Sequence, residues 1–184
     1  YMVMSGLETR VDVSHYRLAA HLSLAFIIFG LLVWTLLDIK NGKRQWSTEN
    51  FCLKRHGLVS LFLLFITLIW GAFVAGTNGG LVYNTWPLMG DSFIPQEVLR
   101  LMNLINEPAA IQFVHRWLAM LTGVVVIGFA WRVRDVKLGA MMGIQIALGI
   151  STLLLGVPIW LAALHQAGAF ILLALMLLSV HKVF

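Results

Sequence analysis

The chain has 184 residues, of which 60% are hydrophobic and only 11% are charged, and its formal net charge is +5. Soluble domains carry about 25% charged residues, so this composition excludes a soluble globular protein and indicates an integral membrane protein. The basic residues lie between apolar runs, where they orient membrane helices, so the positive charge does not indicate a nucleic-acid partner. The single Cys52 excludes an internal disulfide and a cysteine-based metal site.

Five apolar segments predict membrane-spanning helices. A helix needs about 20 apolar residues to cross the hydrocarbon core. The alternation of apolar and polar residues that is typical of a membrane β-barrel is absent. Four of the segments contain no charged residue, and the third contains only Arg116. The sequence therefore predicts an all-α transmembrane helix bundle with spans at 18–37, 57–76, 110–131, 138–157 and 159–180.

The basic residues predict how these helices are oriented. Residues 38–56 carry five Lys or Arg residues and residues 132–137 carry three, which places both segments on the cytoplasmic or matrix side. The loop 83–109 contains a single basic residue, Arg100, and is predicted to lie on the outer side of the membrane. Apolar residues within 95–108 are spaced as in a short helix lying in the membrane interface. The first, third and fifth spans therefore run from the outer to the inner side.

Each of these three spans carries a histidine near its outer end. His21, His115 and His165 lie about five residues into their predicted helices, or roughly 7 Å below the start. A single intramembrane histidine is explained by a hydrogen bond between helices, but three at one depth indicate a shared ligand. Histidines on facing helices bind haem iron from both sides. Zinc, the alternative, takes three or four close ligands, often Cys or carboxylate, and the spans offer neither beside these histidines.

Polar residues near the same level predict further contacts with a haem. Arg17 and Arg116 are predicted to face the propionates, with extension towards the outer headgroups as the alternative. Gln112 and Gln166 are predicted to hydrogen-bond the ligating imidazoles. The other histidines are predicted to be interfacial or loop residues rather than ligands: His15, His56 and His181.

An internal repeat relates the first and last spans. "HLSLAFIIFGLLV" from His21 aligns with "HQAGAFILLALML" from His165 at an offset of 144 residues, which also aligns Phe26 with Phe170. Both helices run in the same direction, so the repeat would be parallel, about an axis along the membrane normal. The twin of His115 would then lie upstream of Tyr1. Because "YMVMSGL" is typical of the end of a helix, we expect this sequence to be the C-terminal part of a longer protein with paired halves.

The chain resembles the haem A synthases over essentially its whole length. The segment "GAFVAGTNGGLVYNTWPLMGDSFIP" is similar to that family's signature, and "RLAAHL", "QFVHRWLA", "LGISTLL" and "ALHQAGA" resemble its other motifs in order and spacing. "MVMSGLE" is similar to the end of the family's third helix. The resemblance implies an oxidoreductase of eight helices in two similar halves. It oxidises the C8 methyl group of haem O to the formyl group of haem A by successive hydroxylation, and the product serves terminal oxidases.

The resemblance also implies roles for the three histidines. His115 and His165 match the pair that ligates a haem b in the family's C-terminal half. His21 matches one histidine of the N-terminal half, beside the substrate haem, and is the expected catalytic position. The second histidine of that half and its nearby glutamate have no counterpart here, and neither does the outer cysteine pair of some members. We therefore expect these 184 residues alone to lack a complete substrate site.

The interpretation also assigns a role to the haem b and to the outer loop. Two axial imidazoles leave no open coordination position, so the haem b would transfer electrons or be structural. The outer loop would close over the haem edge, with Asn84 and Trp86 in contact with it, although Trp86 equally suits an interface anchor.

This interpretation divides the chain into three parts. They are 1–40, the end of the N-terminal half; 41–56, an inner linker; and 57–184, a four-helix haem b bundle with the loop 83–109.

Other functions also fit parts of this pattern. A membrane cytochrome b that transfers electrons without making a product would share the composition, the histidine depth and the repeat. A haem-free transporter or assembly factor is a second alternative. The expected partners are membrane lipid, haem O synthase and cytochrome oxidase assembly proteins, while a homo-oligomer is left open. The expected location is the bacterial plasma membrane, with the mitochondrial inner membrane as the alternative.

Overall fold

The computed structural model describes residues 14–42, 50–99 and 104–184, with the side chain of Leu99 left out. Within these ranges the regular structure is helical, apart from one isolated bridge between Met89 and Ser92. Five helices are long and apolar enough to cross a membrane, which confirms the predicted all-α membrane fold. They are α1 (His15–Asn41), α2 (Phe51–Gly76), α4 (Pro108–Val133), α5 (Val136–Leu154) and α6 (Ile159–Val183); α3 (Gln96–Leu99) and a 3-10 turn (Gly79–Leu81) lie between α2 and α4.

Several observed helix ends differ from the predicted ones. Helix α1 begins at His15, so the prediction that His15 is a loop residue is wrong. Helix α2 begins at Phe51, within the predicted linker. Helix α5 ends at Leu154, three residues before the predicted end, because Gly156 and Val157 have φ angles of 72° and 58° and leave the helical region ahead of Pro158.

Side-chain contacts fix the relative directions of the helices. Thr67 near the middle of α2 hydrogen-bonds Thr122 of α4 at 2.7 Å, while His56 at the start of α2 bonds Val125 further along α4, so these two helices are antiparallel. Helices α1 and α6 are parallel, because Phe26 stacks on Phe170 and Trp34 contacts His181 about two to three turns later. Helix α2 also packs against α1 and α6, and it is antiparallel to α6, because Gly57 at the start of α2 lies against Val180 near the end of α6. Helices α1, α4 and α6 therefore run in one direction, as predicted.

Small residues allow the helices to approach closely inside the bundle. A Cβ added at Gly57 of α2 would lie 3.0 Å from the Phe129 ring and 3.2 Å from Val180. Such positions are typical of membrane helix interfaces, where packing rather than water exclusion holds helices together. The core combines Phe129 with buried apolar residues such as Leu138 and Met176. Many large apolar side chains stay exposed on the outside of the bundle, as expected for a surface in contact with lipid.

Some predicted segments are only partly described. The predicted interface helix at 95–108 is represented by α3, and its residues 100–103 lie outside the described ranges. The helix end predicted at "MVMSGLE" and residues 43–49 of the inner linker also lie outside them. The division of the chain into a first half and a second four-helix half stays a prediction.

Candidate functional site

Three histidines lie at one depth on three parallel helices. His21, His115 and His165 stand six, seven and six residues after the first residues of α1, α4 and α6, or roughly 9 to 10 Å along the helix axis. His115 and His165 are partly buried in the bundle, whereas His21 is exposed on the surface of α1. The structure therefore brings two of the three predicted ligands into the interior and leaves the third on an outer face.

The imidazole of His115 rests on a glycine of the neighbouring helix α2. A Cβ added at Gly71 would lie 3.2 Å from His115 Cε1, a contact tighter than van der Waals spacing. His115 Nδ1 is buried and finds no hydrogen-bond partner within the described part of the chain. A buried ring nitrogen without a partner is costly. The ring is held by its packing on Gly71 and by a hydrogen bond with the Thr67 backbone rather than by a bond at Nδ1.

The imidazole of His165 rests on a glycine in the same way, on α5. A Cβ added at Gly149 would lie 2.9 Å from His165 Cε1. His165 also has a polar neighbour, because Gln145 Nε2 donates to the His165 carbonyl at 2.9 Å and lies 3.3 Å from its Nδ1. Gln145 is only 8% exposed, so this amide belongs to the interior of the bundle.

These residues fit a haem held between two imidazoles. His115 and His165 are both partly buried, and each ring is oriented by a glycine that no larger residue could replace without a shift. Residues 14–42, 50–99 and 104–184 contain no group of three or more His, Cys, Asp or Glu side chains placed to hold a metal ion. Two imidazoles are a donor set that haem iron takes, whereas a structural zinc site needs four ligands.

Arg116 and Gln112 bind the outer loop. The Arg116 guanidinium donates to the carbonyls of Tyr83 at 2.6 Å, Thr85 at 2.9 Å and Leu88 at 3.3 Å. Gln112 Nε2 donates to the same Tyr83 carbonyl at 3.0 Å. Arg116 is 9% exposed, so it does not extend to the headgroups, which was one of the two predicted alternatives. Its contact with a propionate stays a prediction.

The remaining predicted site residues lie around the outer end. Asn84 Nδ2 donates to the carbonyls of Gly80 and Leu153 at 3.0 and 2.8 Å, which joins the loop to the end of α5. Trp86 is half-buried in the same loop, and Arg17 is half-buried in the first turn of α1. Gln166 is exposed beside His165. The ring of His165 thus receives its polar contact from Gln145 rather than from Gln166.

Two further histidines occupy the inner end of the bundle. His56 donates to the Val125 carbonyl and accepts from Arg132. His181 lies at the inner end, as predicted, but it is buried inside the bundle rather than at its surface. It donates to Asp38 Oδ1 at 2.9 Å and packs edge-on against Trp34. Both rings have protein partners for at least one nitrogen, which supports the prediction that neither is a ligand.

Sequence analysis missed Gln145 and the two glycines under the imidazoles. Gln145 is the only side-chain amide in the predicted span 138–157. A buried amide in a membrane helix needs a partner, so the residue type alone could have identified Gln145 as a candidate site residue. Gly71 and Gly149 carry no such mark, because glycine is common in membrane helices. Their role appears only when the neighbouring helix is in place.

Comparison with known proteins identifies relatives over nearly the whole chain. Residues 1–177 match the family described as cytochrome oxidase assembly protein. A Heme A synthase of Rhodospirillum centenum is 43% identical over 98% of this chain and 52% of its own length. A Heme A synthase of Parvibaculum lavamentivorans is 42% identical over 99% of this chain and 56% of its own length. No solved structure matches the chain significantly.

These relatives also bear on the location and extent of the chain. The chain spans about half the length of the curated relatives that it matches. The relatives are bacterial, and with five membrane-spanning helices the chain is an integral protein of the bacterial plasma membrane in contact with lipid. The chain belongs to the cytochrome oxidase assembly protein family, in the branch whose curated relatives are named Heme A synthase.

Proposed function

We propose that the chain forms part of a haem A synthase and supplies its bis-histidine haem b site. The observation that carries the proposal is the pair His115 and His165, two imidazoles at one depth, each resting on a glycine of the adjacent helix. Family membership and the relatives named Heme A synthase support the same function. The proposed reaction oxidises the C8 methyl group of haem O to a formyl group by successive hydroxylation.

In this proposal His115 and His165 would hold the haem b iron. With two protein ligands on the iron, the haem would supply electron transfer or structural support rather than oxygen activation. Gly71 and Gly149 set the direction of each ring by letting it lie against the neighbouring helix backbone. A fixed ring orientation limits the reorganisation that accompanies a change of charge, which suits an electron-transfer site.

The outer loop would cover the outer end of this site and limit the access of water. Arg116 and Gln112 hold the loop through the carbonyls of residues 83–88, and Asn84 fastens it to α5. Water exclusion strengthens the electrostatic interactions of groups inside a site. Arg17 and Arg116 remain the proposed neighbours of the propionates, with Gln166 and Trp86 nearby on the outer side.

The substrate haem O would lie against the other side of α1, at His21. The exposure of His21 supports a role towards a neighbouring half rather than towards the haem b bundle. We propose that residues 57–184 form the second half and α1 belongs to the first. The contact between Phe26 and Phe170, with ring centroids 4.5 Å apart, supports this, because residues that a repeat equates touch only near its axis. Haem O synthase and oxidase assembly proteins are the proposed partners.

Product analysis tests the proposed function. The complete protein is expressed with a supply of haem O, and the extracted haems are separated and identified by mass. We expect hydroxylated haem O and haem A. Haem b in the protein with neither product would instead support the electron-transferring cytochrome b. Absence of a b-type band in the reduced-minus-oxidised spectrum would contradict the haem site itself and leave the haem-free alternatives.

A further inference from the structure

Two arginines at the inner end of the α2–α4 pair have no acidic partner among the described residues. Arg132, near the end of α4, donates to His56 Nδ1 at 3.1 Å. Arg55, next to His56 on α2, is exposed. The described inner end carries two carboxylates, Asp38 and Asp135, and both bond residues of α6. The positive charges of the two arginines are therefore available to an anion from outside the chain.

The imidazole of His56 holds the Arg132 guanidinium in place without neutralising it. His56 Nε2 lies 3.0 Å from the Val125 carbonyl oxygen, which can only accept, so Nε2 carries the proton. An arginine can only donate, so Nδ1 accepts from Arg132 and the ring is uncharged. The ring is itself fixed between the helices, edge-on to Phe129 with centroids 5.5 Å apart. Arg132 is thus a cation with a set position at the membrane surface.

An exposed apolar surface, the inner stripe (Val59, Phe62, Ile127 and Trp131), continues from these arginines into the membrane. Val59 and Phe62 follow Arg55 by four and seven residues and so share its face of α2. Phe62 is 63% exposed, and Trp131 of α4 is 84% exposed. A charged group at the membrane surface therefore adjoins an apolar surface on both helices.

Both parts of the inner stripe lie on the outside of the α2–α4 contact. Gly57 and Phe129 mark the inside, because a Cβ added at Gly57 would lie 3.0 Å from the Phe129 ring and Phe129 is fully buried. Arg55 and Val59 each lie two residues from Gly57, which is about 200° around the helix and therefore on the opposite side. On α4, Phe129 has the same relation to both of its members of the stripe.

We propose that Arg55, Arg132 and the inner stripe bind an anionic phospholipid of the inner leaflet. A planar guanidinium can donate two hydrogen bonds to phosphate oxygens, and an acyl chain would lie against Val59 and Phe62. Basic residues between membrane helices on the inner side bind acidic headgroups, and a tryptophan at this level suits the headgroup region.

A lipid fits this surface better than a free phosphate ion does. Free phosphate would meet the same arginines but would leave the inner stripe without a partner. The two helices thus offer both parts of a lipid site, a cationic end and an apolar length. The inference is independent of the haem site.

Thermal unfolding of the complete protein in a neutral detergent tests this proposal. Phosphatidylglycerol, phosphatidylcholine and inorganic phosphate are titrated separately, and the rise in unfolding temperature with concentration gives an apparent affinity. We expect phosphatidylglycerol to stabilise the wild type and the other two probes to have little effect. We expect Arg132→Gln and Arg55→Gln each to weaken the apparent affinity for phosphatidylglycerol about tenfold, since each removes a charge-assisted contact.

Lys40→Gln is the matched control, because Lys40 is an exposed basic residue in the last turn of α1 and the variant loses the same charge at the same side of the membrane. We expect it to keep the wild-type affinity. Because Arg55 is exposed, Arg55→Gln keeps the test decisive if Arg132→Gln does not fold.

Four results would overturn the proposal. They are no stabilisation of the wild type by phosphatidylglycerol, equal stabilisation by phosphatidylcholine, equal stabilisation by inorganic phosphate, and equal weakening in Lys40→Gln and the arginine variants. The last result would show a general attraction of acidic lipid to the inner side rather than a site. None of these results bears on the b-type band, so the proposed function would stand.

Discussion

At the scale of single residues, the two glycines under the imidazoles make a sharp prediction. Gly149→Ala places a methyl group 2.9 Å from His165 Cε1, and Gly71→Ala places one 3.2 Å from His115 Cε1. Each ring must move, so we expect both variants to lose haem or to show an altered b-type spectrum, with the larger effect at Gly149. Haem content per protein and the reduced-minus-oxidised spectrum measure this.

Gly143→Ala is the matched control for these variants. Gly143 lies on the same helix as Gly149, and a Cβ there meets nothing within 4 Å in the described structure. We expect wild-type haem content in this variant. Equal haem loss in Gly143→Ala and Gly149→Ala would show that helix composition, rather than contact with the imidazole, governs haem binding.

The hydrogen bonds of Arg116 lead to a second prediction, which concerns the stability of the outer loop. Its planar guanidinium reaches the carbonyls of Tyr83, Thr85 and Leu88 together, which a lysine ammonium cannot reproduce. We expect Arg116→Lys to raise the rate of amide hydrogen exchange in residues 83–90 by about tenfold, since losing roughly 1.5 kcal/mol of hydrogen bonding favours local opening by that factor. Arg132→Lys, which alters an exposed arginine at the inner end, should leave the loop unchanged. Unchanged exchange in Arg116→Lys would contradict this account of the loop.

At the scale of helices, the inner turn between α4 and α5 is fastened to α6 by Asp135. Ser179 Oγ donates to Asp135 Oδ2 at 2.7 Å, and Lys182 Nζ lies 3.7 Å from the same oxygen. The other carboxylate oxygen caps α5 by accepting from the Leu138 amide. Burial opposes ionisation of Asp135, but these hydrogen bonds and the lysine charge outweigh it and lower the pKa of its carboxyl. The turn thus joins three helices through one carboxylate.

The lowered pKa of Asp135 predicts how stability depends on pH. A carboxylate whose pKa is lower when folded stabilises the fold above its ordinary pKa of about 3.9, and this contribution is lost as the pH falls through the lowered value. We expect Ser179→Ala to cost about 1.5 kcal/mol at pH 7 and less in acid, measured by thermal unfolding in detergent. Ser23→Ala is the control, because Ser23 donates only to Ala19 of its own helix. An equal loss in both variants, or a loss independent of pH, would contradict this role.

The sequence predicted the helices well because apolar length alone decides whether a segment spans a membrane. It predicted the end of α5 poorly, because Gly156 and Val157 are apolar and their left-handed backbone leaves no mark in hydropathy. It predicted the burial of Arg116 only as one of two alternatives, since the loop carbonyls that receive its hydrogen bonds are main-chain groups. Contacts made by the backbone of a distant segment cannot be read from side-chain types.

At the scale of the whole molecule, parallel helices α1, α4 and α6 carry the predicted histidines at one end and a separate polar cluster at the other. At the inner end Asp38 of α1 accepts from His181 of α6, and Lys54 of α2 lies over the Phe184 ring. The depth of the histidines was predictable from helix direction and spacing. Their separation into an interior pair and an exposed His21 was not, because periodicity does not tell which face of α1 meets the bundle.

The central claim is that His115 and His165 together hold a haem b. Its most direct test is the reduced-minus-oxidised spectrum, with haem content, of the complete protein carrying His115→Ala or His165→Ala, beside His56→Ala as a control whose ring bonds Val125 at the inner end. We predict that each of the first two variants loses or shifts the b-type band and that the control keeps it. A b-type band that is unchanged in both His115→Ala and His165→Ala would contradict the assignment.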